Sequence, residues 1–334
     1  MILKKNYVRT VLVLVAAVLL AGCASGKEGK QQYAYPLATA SPEDTVTQLY
    51  AEKFAKEVNR LSDGRINIQV YANSVLGGDR ELLESCYDGD IPFVIQNTAP
   101  QVNFIPDTAV FDLPCQFADL GEVRKAVDDP VFFGEMQKSY RKAGYELLGY
   151  ADQGFRVMST NKKVTDIEDF EGQKIRTMEN SYHISFFKAL GANPTPMNFS
   201  EVYIGLQQNT IDAQENPYEV IASNRLYEQQ DYVVNTNHLP HLVSLIVSHE
   251  FYETLSKEDQ KILEEAQKRA RDYAREAADR RISERIKEIE DGGTDVIDLS
   301  DETWRAMQKA AAPVCDEIKE NVSEKIVESY TGNL

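Results

Sequence analysis

Segments with the periodicity of a β-strand alternate with segments with the periodicity of an α-helix along most of this chain. Ile66, Ile68 and Val70 recur at every second position, which is typical of a half-buried strand. The preceding segment, which starts near Ser41, has apolar residues at helical spacing. Strands that alternate with helices favour parallel sheets covered by helices. A chain of 334 residues is long enough for two such units, so the sequence predicts an α/β fold with two lobes.

The same pattern assigns the rest of the chain. The predicted strands cover residues 33–39, 65–70, 93–96, 145–151, 155–161, 173–177, 211–215 and 296–299, and further predicted helices cover residues 79–89, 120–143, 182–190 and 199–208. Asn193-Pro194-Thr195-Pro196 is predicted to be a turn because it contains two prolines. Residues 256–291 predict one long helix that begins at Ser256 and ends at Gly292-Gly293. Such a helix either braces two lobes or lies on the surface of one.

The N-terminus predicts a processing signal rather than part of the folded body. Lys4, Lys5 and Arg9 precede an apolar run over residues 11–20, and Leu20-Ala21-Gly22-Cys23 follows as a lipobox. The run is shorter than the roughly 20 apolar residues of a membrane-spanning helix. We therefore expect residues 1–22 to be a lipoprotein signal peptide, Cys23 to carry the lipid, and residues 23–32 to form a tether. The body would then lie outside the cytoplasm, anchored to the cell membrane.

Charge and cysteine content exclude several classes of protein. The net charge of −17 argues against nucleic acid or an anionic membrane surface as partners. Besides Cys23 there are three cysteines, which show no metal-ligand spacing, and of the four histidines only His238 and His241 lie at such a spacing. Cys86, Cys115 and Cys315 are expected to be buried apolar residues, although a Cys86–Cys115 bridge stays open. His238 and His241 are interpreted as structural rather than metal-binding residues.

No catalytic motif is present. The chain has no G-x-S-x-G elbow, phosphate-binding loop, dinucleotide fingerprint or H-E-x-x-H pair. We therefore expect a protein that is not an enzyme and needs no cofactor. A hydrolase built on the same scaffold would need a nucleophile and a base that the sequence does not show.

One basic residue stands where a predicted strand ends. Arg176 follows Gln173-Lys174-Ile175, and ligands of open parallel sheets bind beyond the carboxyl ends of the strands. A guanidinium group can hold a carboxylate with two parallel hydrogen bonds. Arg156, near the start of another strand, could supply a second positive charge. Spacing alone leaves open that either arginine is a surface or ion-pair residue.

Several motifs together resemble one family. They are Gly154-Phe155-Arg156, the run from Ile167 to Thr177, Gly191 to Met197, Phe199 to Tyr203, and Asp212-Ala213-Gln214-Glu215-Asn216-Pro217. In this order they resemble the substrate-binding proteins of TRAP transporters, the tripartite ATP-independent periplasmic type, and the likeness covers nearly the whole chain after the predicted signal. The resemblance implies two α/β lobes that close around an organic acid, with a long bracing helix. We assign residues 33–153 and 242–281 to lobe I, and residues 154–241 and 282–334 to lobe II.

The resemblance also implies roles for individual residues. Arg176 would clamp the carboxylate, Arg156 would be a second basic contact, Asn216 a polar contact beside the carboxylate, and Phe199 an apolar platform. Gln214 and Glu215 would shape the turn rather than contact the ligand.

Three further positions would set specificity: Asn97, whose amide suits hydroxyl groups; Asp79, which either lines the opposite rim or is only a helix N-terminal acid; and His183, which follows the Arg176 strand. We expect a sugar acid such as a uronate, an aldonate or a keto-gulonate relative, with a C4-dicarboxylate as the alternative. The expected partners are the small and large permease subunits. A module that reports its ligand to a membrane kinase is an alternative of another class.

Overall fold

The computed structural model describes residues 33–332. The predicted signal peptide, the predicted lipidation site Cys23 and the predicted tether lie outside these residues. Within them, no helix combines the length and the apolar character that crossing a membrane requires.

The strands of residues 33–332 form one mixed sheet. They are β1 Tyr33–Ala38, β2 Ile66–Tyr71, β3 Phe93–Asn97, β4 Tyr145–Thr160, β5 Lys174–Thr177, β6 Asn193–Pro196, β7 Ala213–Asn216, β8 Tyr232–Ser248 and β9 Asp295–Asp298. Their order is β2-β1-β3-β8-β4-β7-β5-β6, and β9 pairs with β8. The parallel group β2-β1-β3 is the base of lobe I, and the parallel group β7-β5-β6 is the base of lobe II.

Two long antiparallel strands connect the lobes. β4 and β8 have 16 and 17 residues and pair with each other along most of their length. The prediction of two separate strands over residues 145–161 was wrong. Gly154 has a φ of 94° and lies within a register shift between Asp152 and Phe155, so the chain makes a bulge there and continues as one strand.

Helices cover the sheet. They are α1 Val46–Leu61, α2 Asp79–Tyr87, α3 Leu120–Val127, α4 Pro130–Lys142, α5 Ser181–Ala189, α6 Val202–Gln207, α7 Tyr218–Ser223, α8 His249–Thr254, α9 Lys257–Asp291, α10 Asp301–Ala310, α11 Ala312–Asn321 and α12 Glu324–Thr331. Short 3₁₀ helices span Ala99–Asn103, Pro106–Asp112, Ile167–Phe170, Phe199–Glu201 and Leu226–Gln229. The first helix begins later than predicted because Thr45 is its N-cap and accepts from the backbone N–H of Gln48.

The long helix α9 contacts both lobes. Ser256 caps its start, and a stripe of small residues that includes Ala266, Ala270 and Ala274 is buried in the core shared with α1. Further along, Arg281 and Arg285 form ion pairs with Glu219 of α7 in lobe II. Of the two predicted roles for this helix, the structure therefore shows the brace.

The last two helices, α11 and α12, correct part of the predicted assignment of residues 282–334 to lobe II. Val314 and Ile318 of α11 and Tyr330 of α12 are buried in the core of lobe I. The ring of Tyr330 stacks on Phe132, with centroids 5.0 Å apart. Contacts between Tyr330 and aromatic residues of lobe I hold the C-terminal helices against that lobe. The periodicity of a helix predicts that one face is buried, but not which lobe covers it. The other lobe boundaries stay a prediction.

The structure also decides two smaller points, the conformation of residues 193–196 and the state of the cysteines. Residues 193–196 form the edge strand β6 rather than a turn. Two prolines are tolerated there because an edge strand forms hydrogen bonds to a neighbouring strand on one side only. Cys86, Cys115 and Cys315 are free thiols, so the Cys86–Cys115 bridge does not form.

Candidate ligand-binding site

A cavity lies between the two lobes at the carboxyl ends of three strands. Asn97 ends β3, Asn216 ends β7, and Arg176 is the penultimate residue of β5. The space has a volume of about 390 Å³, including the part open to solvent, and is lined by Ala40, Ser41, Pro42, Asp79, Asn97, Arg176, Met178, Phe199, Asn216, Val220 and His241. Five of the seven predicted ligand-binding residues are in this lining, and Arg156 and His183 are not.

Arg176 places an incompletely bonded cation in the cavity wall. Its side chain is 2 % exposed. Nε and Nη2 donate to the carbonyl oxygen of Met197 at 2.9 and 2.6 Å, whereas Nη1 is buried and has no hydrogen-bond partner within residues 33–332. Burial is the main reason that the pKa of Arg176 falls to about 10, which still leaves the group charged at neutral pH. The free Nη1 and the second N–H of Nη2 can both donate to one carboxylate.

Phe199 and Asn216 flank this cation. The guanidinium carbon of Arg176 lies 5.9 Å from the ring centroid of Phe199, within the range of a cation–π interaction. Asn216 donates from Nδ2 to Oε1 of Gln214 at 2.7 Å, and its Oδ1 accepts from Arg156 at 3.1 Å. These contacts fix the orientation of the Asn216 amide at the cavity wall.

Arg156 lies behind the wall in a closed ionic network. It is 1 % exposed and forms a buried ion pair with Glu215 through Nε and Nη2. Nη2 also donates to the carbonyl oxygen of Glu215 at 2.6 Å, and Nη1 lies 2.5 Å from Nδ1 of His241. Burial alone would raise the pKa of Glu215, but Arg156 and the neighbouring His183 and His238 hold it well below its usual value. Glu215 is therefore the centre of this network rather than only a residue that shapes a turn.

His183 belongs to the same network and joins the two lobes. Its Nε2 lies 2.9 Å from Oδ1 of Asp112 in lobe I, and its Nδ1 lies 3.8 Å from Glu215. Although burial opposes it, the two carboxylates raise the pKa of His183 to about 9, so the ring is protonated at neutral pH. Asn180 strengthens the same contact by donating to Asp112 at 2.7 Å.

Lobe I contributes a weakly charged wall. Asn97 donates to the carbonyl oxygen of Leu242 and accepts from the N–H of Ala99, both at 2.9 Å, so half of its amide capacity is already used. Asp79, at the N-terminus of α2, is half-buried. Burial is the largest cause that raises its pKa to about 6, and the charge of Arg176 opposes the rise.

Sequence reasoning missed several residues of the lining. Pro42, Met178 and Val220 supply apolar surface, and no motif singled them out. His241 was interpreted as structural together with His238, but only His241 reaches the cavity. His238 is buried between lobe II residues, stacked on Phe186 with centroids 5.4 Å apart. Successive side chains of a strand point to opposite faces, so a spacing of three residues separates the two histidines; this signal was missed because residues 232–248 were not assigned to a strand.

Metal-ligating atoms come close together elsewhere in residues 33–332. Glu146, His249 and Glu253 each offer a ligand atom within 4.8 Å of the others. Arg141, however, donates to both carboxylate oxygens of Glu146, at 2.8 and 2.9 Å, and His249 lies 2.8 Å from one of them. These contacts account for the cluster as an ion-pair group.

The chain has two α/β lobes joined by two long strands, and the buried guanidinium group of Arg176 lies in the cleft between them. This arrangement is that of a solute-binding protein. The family model described as "Bacterial extracellular solute-binding protein, family 7" (DctP) matches residues 37–321. The chain belongs to this family, the substrate-binding proteins of TRAP transporters. Its members are extracytoplasmic receptors that work with the membrane components of a transporter and are not enzymes.

Individual relatives support this membership. The chain is 33 % identical to a solute-binding protein of Verminephrobacter eiseniae over 79 % of this chain and 78 % of the relative. It is 33 % identical to the ectoine-binding periplasmic protein TeaA of Halomonas elongata over 85 % of this chain and 84 % of TeaA.

Solved structures show the same fold. The sugar acid binding protein DctPAm of Advenella mimigardefordensis, in complex with galactonate, has a TM-score of 0.86 at 27 % identity over 90 % of this chain and 97 % of DctPAm. A TRAP solute-binding protein of Polaromonas sp. JS666 bound to D-erythronate has a TM-score of 0.84 at 30 % identity over 90 % of this chain and 98 % of that protein.

Proposed function

We propose that this receptor captures a small organic acid, holds its carboxylate on Arg176, and delivers it to a TRAP permease. The observation that carries the proposal is the buried Nη1 of Arg176, which has no partner among the described residues and belongs to a side chain that lines the cavity. Leaving a buried donor of a charged group unpaired is costly, and a carboxylate would satisfy it. Contacts that form only when both lobes hold the ligand would favour the closed state.

The cavity favours a hydroxylated monocarboxylate. Among the described residues that line this cavity, Arg176 is the one arginine or lysine and Asp79 the one acid, while Arg80 and Glu179 line an adjoining cleft. A second carboxylate would find no cation and would be repelled by ionised Asp79, whereas hydroxyl groups can bond Asp79, Asn97 or Ser41. This supports a sugar acid, the ligand type of the galactonate- and erythronate-bound relatives, over a C4-dicarboxylate, which the B. subtilis relative DctB binds by its name.

Thermal unfolding with a panel of acids tests the proposal. D-Erythronate, D-galactonate, D-galacturonate and succinate should be compared, and a ligand at 100 times its dissociation constant should stabilise the protein by about 2.7 kcal/mol. Replacing Arg176 with Ala should abolish the shift because the carboxylate loses its cation. Arg269→Ala, an exposed arginine of α9, is the matched control and should keep the shift. If the ligand-induced shift in thermal unfolding were unchanged in Arg176→Ala, Arg176 would not be the carboxylate clamp. A shift with succinate alone would favour a C4-dicarboxylate as the ligand.

We also propose that Cys23 carries a lipid that anchors the protein to the membrane. The lipobox Leu20-Ala21-Gly22-Cys23 supports this proposal. The variant Cys23→Ser should move the protein from the membrane fraction to the soluble extracytoplasmic fraction, as measured by fractionation and immunoblotting. A wild-type protein that is already found in the soluble fraction would contradict the anchor but leave the binding proposal intact.

A further inference from the structure

His241 presents a second unpaired polar atom at the cavity. It lies on β8, is 4 % exposed and lines the cavity together with Arg176. Its Nδ1 contacts Nη1 of Arg156, whereas its Nε2 is buried without a hydrogen-bond partner in the described residues. The ring therefore has one nitrogen held by the network behind the wall and one nitrogen left over.

The contact with Arg156 fixes the protonation of this ring. A guanidinium group can only donate hydrogen bonds, so Nδ1 must be the acceptor and the proton of the neutral ring must lie on Nε2. A second proton on Nδ1 would face the guanidinium N–H. Burial, followed by the charge of Arg156, holds the pKa of His241 well below its usual value, with Glu215 opposing and His183 adding to the effect. The unpaired Nε2 is thus an N–H donor.

We propose that the Nε2–H of His241 donates a hydrogen bond to a hydroxyl or keto oxygen of the bound acid, and that Arg156 acts on the ligand by fixing this tautomer. The inference rests on the proposed function and narrows its ligand class. An acid with an oxygen at this place satisfies the buried donor. An acid that has hydrogen or an ammonium group there leaves the donor unpaired or repels it, so both are selected against. His241 is thus a specificity-determining residue.

Binding measurements on a set of variants test the assignment. The probes are whichever of D-erythronate and D-galactonate binds the wild type more tightly, together with its single-deoxy analogues, measured by calorimetry. His241→Phe should weaken binding of the parent acid about tenfold or more, because an apolar ring of similar size cannot donate. For one deoxy analogue, wild type and His241→Phe should bind equally. His241→Gln should stay within about threefold of wild type, because its Oε1 can accept from Arg156 while its Nε2 donates.

A spectroscopic measurement on the wild type does not depend on how the variants fold. Nitrogen-15 correlation spectra should show His241 as the Nε2–H tautomer between pH 6 and 8, with an Nε2–H resonance that shifts on adding the parent acid and stays in place with that same deoxy analogue. An Nδ1–H tautomer would overturn the inference. So would a loss of affinity in His241→Phe that is equal for the parent acid and all its deoxy analogues. Neither result would contradict the proposed role of Arg176. If the wild type binds no acid of the panel, the proposed function fails, and the inference fails with it.

Discussion

Two buried guanidinium groups in lobe II lie in opposite surroundings. Arg156 is enclosed by a carboxylate, a carbonyl oxygen, an amide and an imidazole. In the part of the chain that the structure describes, Arg176 donates only to the carbonyl oxygen of Met197, and one of its nitrogens has no partner. Their exposures of 1 and 2 % are nearly equal, so burial alone does not separate an arginine that holds the structure together from one that waits for a ligand.

The difference has an energetic meaning. Removing one partner of a buried ion pair is strongly destabilising because the other charge is left uncompensated. A buried cation that forms no ion pair within the described residues, in contrast, costs stability and is retained where function needs it. We therefore expect the two arginines to respond oppositely to the same replacement.

The largest expected effect is on stability. Arg156→Met should lower the free energy of unfolding by about 3–5 kcal/mol because it leaves the carboxylate of Glu215 buried and unpaired. Arg176→Met should change it by no more than about 1 kcal/mol, because the replacement removes an incompletely paired buried charge, and this gain offsets the loss of the bonds to Met197 and of the contact with Phe199. Urea denaturation of the ligand-free proteins measures both values. Equal losses in the two variants would mean that the two surroundings do not differ in energy.

The sequence predicted one of these arginines better than the other. Arg176 follows from a general rule, since the strand pattern placed it at the carboxyl end of β5 and ligands bind there in open α/β sheets. The surroundings of Arg156 do not follow from any local rule. Its carboxylate partner is 59 residues away and its imidazole partner 85 residues away along the chain. Which of many acids pairs with it depends on tertiary packing.

The same division applies to the fold. Periodicity predicted most strands and the long helix α9, because their apolar spacing reflects one buried face. It failed at two places: β4 continues through a bulge at Gly154 where two strands were predicted, and Pro194 and Pro196 lie in an edge strand where a turn was predicted. It also could not predict that α12 packs in lobe I, because that contact depends on the aromatic cluster around Tyr330.

The pH dependence of stability sharpens the comparison with a smaller effect. His183 has a pKa of about 9 in the folded protein and about 6.5 when unfolded, so the stabilisation from its proton is fully present below pH 6.5 and is lost as the pH rises through 9. Between pH 6.5 and 8 the contribution of His183 to the free energy of unfolding should fall by on the order of 1–2 kcal/mol. His238 and His241 oppose this fall, because burial lowers their pKa values in the folded protein and their unfolded forms lose protons over the same range, so the net fall is smaller. The upper limit of pH 8 avoids the buried thiols, since burial raises the pKa of Cys86 and Cys115 and these groups begin to ionise in the unfolded chain above it.

Replacing His183 with Gln isolates the effect in this network. Glutamine can still donate to Asp112 but does not titrate, so the fall between pH 6.5 and 8 should disappear from the variant's urea denaturation curves. Arg176→Met, which leaves His183 and both of its carboxylate partners in place, should retain the wild-type fall. If the fall in the free energy of unfolding were lost in Arg176→Met but kept in His183→Gln, a group in the cavity wall, and not His183, would be the group that titrates. The network would then not be the closed, charge-balanced region that its contacts describe.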